Sequence, residues 1–403
     1  MSDEAVRTEG SESGAGAVKK PRDVSIDYLR AVVTLMVLAH HSSLAYTTFA
    51  HFDRVNVFDS TAPVVDTARW RFLDYAENFN DVFFMSLMFF LSGLFVYPAL
   101  KRHGVPGFVK ERLLRLGLPF AFAVTLLMPI AYYASWKLGG HTQSYPEFWW
   151  LLARHGFAVG PPWFIWVLLF FDCIVAAVFP LLRHLQRKIA GFLERLGAHP
   201  VSCSIAFTIL AALVYLPLLA KYGTAWTNFI TAPFAFQTSR ILLYGLWFLA
   251  GYFIGNAGLE RGLLARDGLL VRRRRWWVRW CVVAYNALIF IPMIPAFGRL
   301  ASLTRGAVES TLWVVSNVAS CFAFVALFRG SVSKRRGWMD SLARSAYVMY
   351  LVHYVFVTWT QWLLLDVNLF AGIKFLIVFL VVTALSWLTA QAAIRIPGVR
   401  NVV

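Results

Sequence analysis

The residues best equipped for chemistry are two adjacent histidines, His40 and His41, in the stretch LMVLAHHSSLAY (35–46), which otherwise reads as a membrane-spanning helix. Ionisable side chains inside a span are costly and mark functional sites by default. Imidazole takes up a proton near neutral pH and returns it, as a general base must to activate a hydroxyl group. At roughly 100° per residue, Asp27, Arg30 and His41 fall on one helix face, within about 60° of one another. His40 is turned about 100° away, toward a neighbouring helix or lipid headgroups. The helical rise puts His41 about 22 Å from the start of the span, with Asp27 and Arg30 near the inner end. A structural reading competes, in which His41 only bonds a backbone carbonyl in a crowded bundle; for His40 that reading is the expected one.

Further candidates follow along the chain. Arg112 and Arg115 are three apart and so share a helix face. They are either positive-inside flanking charges or a pair of guanidinium forks for phosphate. His353, with Tyr350 one turn before it, is a second intramembrane histidine, either structural or substrate-orienting. Asp172 lies deep in another span, with no partner that sequence can name. Ser92 and Gly93 are small enough for close helix packing. No metal site is expected, because the adjacent histidines diverge and no further ligand follows at helical spacing. Cys173, Cys203, Cys281 and Cys321 are single and suggest neither disulfides nor zinc.

The elements that must position these groups follow from composition. The 403 residues are 59% hydrophobic and 15% charged, which excludes an ordinary soluble protein. Windows of about 20 apolar residues predict an all-α integral membrane protein with about ten spans, near 26–48, 79–100, 114–136, 162–182, 201–220, 237–257, 277–297, 309–328, 344–365 and 370–394. Of the 38 lysines and arginines, 27 fall in the two tails and one set of alternate loops, 10 in the other set, and Arg30 lies in a span. This asymmetry predicts that both termini are cytoplasmic. The basic run Arg272–Arg275, followed by Trp276 and Trp277, reads as an anionic-lipid and topology anchor rather than a nucleic-acid site. Residues 1–22 read as a disordered cytoplasmic tail without a signal peptide, and 398–403 as a short cytoplasmic tail.

The motifs DYLRAVVTLMVLAHH, MFFLSGLF, RLLR, PWFIWVLLFF and SAYVMYLVHY, in this order, resemble the membrane acyltransferases of acyltransferase family 3. The Ser-Ser-Leu-Ala-Tyr after His41 and the long first outer loop look most like the branch that succinylates periplasmic glucans. The resemblance implies one membrane acyltransferase domain over 23–397, located in the bacterial inner membrane. It further implies His41 as the catalytic histidine and Arg112 with Arg115 at acyl-coenzyme A, the donor substrate. No permanently bound cofactor is implied. The acceptor is a glycan or other hydroxyl compound, and a periplasmic partner protein would complete or redirect the transfer. Many members have a histidine just before the Trp-Phe of the fourth span, where this chain has Pro161 and Pro162.

On that basis His41 is the expected base, as general base or as acyl carrier. Arg30 and Asp27 would organise the inner end, as a cofactor contact or an ion pair, and His353 would orient substrate. A different class is also open: a proton-coupled exporter using His41, Asp172 and His353 as a relay, although the repeated halves common in transporters are not evident.

Overall fold

Helix α1 (Val24–Leu44) begins where Asp23 caps it, accepting from the backbone N–H of Ser25 at 2.9 Å and of Ile26 at 3.3 Å. Arg329, wholly buried, also donates to this carboxylate and to the carbonyls of Leu264 at 2.9 Å and Leu259 at 2.7 Å. Burial pushes the Asp23 carboxyl up, but hydrogen bonding by Ser25 and the charge of Arg329 outweigh it and hold it below its usual range. This computed structural model describes residues 23–228 and 232–402, so the expected 1–22 tail lies outside the described residues.

Then follow α2 (Arg71–Gly93), α3 (Val96–Leu138, one run with internal breaks), α4 (Tyr145–His155), α5 (Trp163–Ala177), α6 (Phe179–Ala198) and α7 (Pro200–Tyr222). An antiparallel hairpin of β1 (Trp226–Asn228) and β2 (Ala235–Gln237), with Thr227 opposite Phe236, leads into α8 (Ile241–Ala257). The chain continues as α9 (Arg274–Phe290), α10 (Ser302–Ser331), α11 (Gly337–Leu363) and α12 (Ala371–Ala393). The last described residues form a short helix, Pro397–Val402, which takes in most of the expected tail.

Each of the ten apolar windows falls on a helix, but the number of candidate spans is smaller. Among the described residues five helices are long and apolar enough to cross a membrane, or seven if the two sharply bent pairs, 72° at α5/α6 and 83° after α8, each count as one. Helices α1, α2 and α11 are not among the five, although at 21, 23 and 27 residues they are long enough. The polar residues that dilute their apolar character include His40, His41, Glu77, Asp81 and His353. The second window straddles the junction of α2 and α3, and the third covers only the later part of α3.

Helix α1 sits centrally, packed on α2, α10, α11 and α12. Helix α2 runs antiparallel to it: His40 meets Glu77 at 3.5 Å and, beyond the end of α1, Thr48 N–H donates to Asp74 at 2.7 Å. Helix α11 runs parallel to it, joined at both ends. Near the start, the Tyr28 hydroxyl donates to Asp340 at 2.9 Å and accepts from the Arg336 N–H at 2.6 Å. Near the finish, the Gln361 amide donates to the carbonyls of His41 at 3.1 Å and Ser42 at 3.3 Å. Asn317 of α10 ties α2 to α8, donating to the Val82 carbonyl and the Ser86 hydroxyl and accepting from Trp247. Gly93 lets α2 and α8 touch, since a Cβ there would sit 2.1 Å from the Phe248 carbonyl oxygen.

Two prolines shape α3. A proline has no N–H, so the carbonyl four residues earlier loses its helical partner. Pro119 frees the Arg115 carbonyl, which accepts instead from the Tyr347 hydroxyl of α11 at 2.7 Å. Pro129 frees that of Thr125, which accepts from Trp149 of α4 at 2.7 Å. Wider π turns at Leu113–Gly117 and Ala123–Leu127 accompany these breaks.

Val55, 93% exposed, lies on the loop beyond the end of α1, and exposed Lys334 lies at the opposite end, beside Arg336. In intact cells an impermeant thiol reagent is expected to label Val55→Cys, and to label Lys334→Cys only after permeabilisation. Labelling of both from outside would contradict the expected topology.

Candidate active site

His41 and His353 come from different helices, 312 positions apart in sequence, and meet with ring centroids 5.2 Å apart. The parallel pairing of α1 with α11 produces this meeting. His353 is fully buried, and its Nδ1 lies 2.6 Å from the Tyr350 carbonyl oxygen. A carbonyl can only accept, so Nδ1 carries the proton and the neutral ring presents a lone pair at Nε2. Among the described residues, that Nε2 and the Nδ1 of His41 have no hydrogen-bond partner. Unmatched buried polar atoms are costly, about 1–3 kcal/mol each, and call for a functional reason. An incoming hydroxyl or a water would satisfy them.

The walls are aromatic. Tyr354 stands edge-on to His41 at 5.1 Å, with Tyr132 of α3 beyond it at 6.0 Å. The Tyr350 hydroxyl donates to the Pro161 carbonyl, and Phe164 packs on the Tyr350 ring at 6.0 Å. Thus the Pro161 carbonyl anchors the tyrosine that precedes His353 by one turn.

His40 faces α2 and not the paired histidines' common space. Its ring is edge-on to His41 at 5.0 Å, and its Nδ1 lies 3.5 Å from Glu77. One turn along α2, Asp81 accepts both guanidinium donors of Arg240, at 2.8 and 2.6 Å, and Arg240 stacks on Trp313 at 4.8 Å. The sequence reading missed Glu77, Asp81 and Arg240. Their signal was available as two acids at i and i+4 by one span entrance and an arginine by another.

The remaining candidates lie apart from the histidines. Asp27 is half-buried and Arg30 exposed on the early turns of α1, Arg30 being eleven residues, or about 16 Å of helix, before His41. A π turn, Leu113–Gly117, follows Arg112 and contains Arg115, and the two arginines take different partners. Arg112 packs over Phe108 and lies 3.3 Å from Asp172 of α5, which supplies the partner that sequence could not name. Arg115 is half exposed and pairs with Glu111 at 3.3 Å.

A helical bundle of membrane-spanning segments with paired imidazoles at its heart is thereby a specific architecture, and comparison identifies it: the chain belongs to acyltransferase family 3, whose Acyltransferase domain matches residues 23–391. It is therefore a membrane protein and an acyl-transferring enzyme. Similar proteins include glucans biosynthesis protein C of Salmonella typhi and of Salmonella typhimurium (strain LT2), each 26% identical over 247 residues. The same-named protein of Salmonella heidelberg (strain SL476) is 25% identical. These matches cover 58% of this chain and 60% of the relatives' length. No solved structure matches the chain significantly.

The two arginine pairs predict unequal stability effects. Asp172 is almost wholly buried, so Asp172→Asn should lower thermal stability in detergent by about 1–3 kcal/mol. Removing the partner of half-exposed Arg115, by Glu111→Gln, should cost about 0–1 kcal/mol. Equal unfolding temperatures for the two variants would contradict a buried Arg112–Asp172 pair.

Proposed function

We propose that the protein moves an acyl group, succinyl in the first instance, from cytoplasmic acyl-coenzyme A to a hydroxyl of a glucan or other glycan at the periplasmic face of the bacterial inner membrane. The observation that carries the reading is the meeting of His41 and His353, each with an unmatched ring nitrogen, within an acyltransferase domain. The printed name of the Salmonella relatives supports a glucan as acceptor.

His41 is the general base. It accepts the proton of the acceptor hydroxyl as that oxygen attacks the thioester carbonyl; the carbon–sulfur bond then breaks, and the proton passes to the departing thiolate. His353 Nε2 receives a hydrogen bond from a second hydroxyl of the acceptor or from an ordered water, and so fixes the reacting hydroxyl against His41. Arg115, exposed, and Arg112 beside it attract the donor's phosphates, while Asp27 and Arg30 order the inner end of α1. A periplasmic partner that receives or redirects the product fits this arrangement.

An exporter relay through His41, Asp172 and His353 has less support. Asp172 is engaged by Arg112 and lies eight residues, about 12 Å along α5, from Phe164, the residue of that helix that packs near His353.

The test is acceptor-dependent release of free thiol from succinyl-coenzyme A by purified protein with a glucan acceptor. His41→Ala should reduce it by about 10²–10⁴-fold, and His40→Ala should retain much of it, provided both accumulate normally. Loss with His40→Ala and retention with His41→Ala would reverse the assignment.

A further inference from the structure

A row of aromatic rings runs from the surface to the histidines, at the end of the bundle where α1 finishes. Phe58, in the loop after α1, meets Tyr132 of α3 with ring centroids 5.5 Å apart. Tyr132 meets Tyr354 of α11 at 6.0 Å, and Tyr354 stands 5.1 Å from His41. Successive planes are inclined by 52°, 63° and 73°, so no ring lies flat on the next and their faces are not spent on one another. The hydroxyls of the two tyrosines bond to each other, which gives the inner part of the row polar tips on apolar bodies.

The loop that carries Phe58 is braced. The Asp53 carboxylate accepts from the backbone N–H of Val55 at 2.7 Å and of Asn56 at 3.0 Å, and the Thr61 N–H donates to the His51 carbonyl at 2.9 Å. Val57, 2% exposed, is seated among Trp136 of α3 and Phe148 and Leu152 of α4. The next residue, Phe58, is 36% exposed. Asn56 and Asp59, both exposed, bracket it and bond to each other at 2.7 Å. An aromatic residue of a membrane belt would face lipid. This ring faces Tyr132 and, through it, the paired histidines.

We infer that Phe58, Tyr132 and Tyr354 form a saccharide lane, along which the sugar rings of a glucan lie while one hydroxyl is presented to His41, and that Phe58 sets a preference for an extended sugar chain over a compact alcohol. A pyranose ring is apolar on its C–H face and polar around its rim. It suits an aromatic face flanked by an amide and a carboxylate, the combination by which a largely apolar site orients a polar ligand. An acyl chain of the bilayer offers nothing for Asn56 and Asp59 to bond. The row also reaches His41 from the side that the acceptor needs, since Tyr347, which holds the Arg115 carbonyl, lies six residues before His353 toward the other end of α11. The role of the lane in catalysis rests on the acyl-transfer reading; the binding of a saccharide along it does not.

The experiment uses the purified full chain, with maltoheptaose and laminariheptaose as probes and calorimetric binding as the first readout, so it does not depend on turnover. Phe58→Leu keeps an apolar side chain against Tyr132 but removes the flat face, so it should weaken binding of the better probe by about tenfold, and Phe58→Trp should bind as wild type does. A phenyl ring that only packs the loop predicts the opposite, with Phe58→Leu silent. In turnover with succinyl-coenzyme A, Phe58→Leu should raise KM for that oligosaccharide by a similar factor and leave kcat and the donor's KM within about twofold. If neither oligosaccharide binds the wild type, or if Phe58→Leu, eluting as wild type, binds them equally well, the lane is overturned and the acyl-transfer reading is left to its own assay. If Phe58→Leu changes only the phospholipid that copurifies in detergent, the ring is a bilayer anchor and the proposal is likewise overturned. Saccharide binding that depends on Phe58, without any thioester consumption, would overturn the acyl-transfer reading and leave the lane standing.

Discussion

The structure depends on the parallel alignment of α1 with α11. Tyr28 fixes the two helices at one end through Asp340 and Arg336, and Gln361 fixes them at the other through the carbonyls of His41 and Ser42. Between these ties the histidines have little freedom to separate, and their rings stand 5.2 Å apart. Two neutral imidazoles in an apolar bundle are an expensive arrangement unless something polar enters between them. The ties hold a site whose own side chains do not bond to each other.

Other elements support that pair. Arg329 secures Asp23 and so the start of α1, and it draws the segment after α8 to the same place through Leu259 and Leu264. The irregularities of α3 serve contact as well as shape, because the carbonyl that Pro119 releases becomes the acceptor for Tyr347 of α11. At the far end of the bundle, Lys374 and Asp66 form a buried ion pair at 2.6 Å that pins the loop following α1 to α12. Removing either partner of such a pair leaves an uncompensated charge, which gives the loop a defined position above the histidine helices.

Much of this was legible in the sequence. The helical class, His41 as distinct from His40, and the family resemblance all rest on local pattern. Phase along a single helix sufficed to separate the two histidines, and the structure turns them toward α11 and α2 respectively. What sequence could not supply was pairing between distant segments. His353 and His41, Asp172 and Arg112, and Arg240 and Asp81 are contacts of tertiary packing, with no local spacing to announce them. The separate partners of Arg112 and Arg115 were hidden for a different reason. A π turn intervenes, and a uniform 3.6-residue period does not anticipate it. The expected span count is likewise sensitive to the functional residues themselves, since the helices that carry the buried histidines and acids are not among those apolar enough to qualify.

The central claim is that His41 and His353 act as one site. A double-mutant cycle on acyl transfer tests it most directly, using His41→Ala, His353→Gln and the two combined, with thermal stability measured for each. Residues that act as a unit lose nearly everything at the first substitution, so the double variant should be little slower than His41→Ala alone. If the two losses multiply, the histidines work independently, and the account of a shared centre between α1 and α11 is wrong.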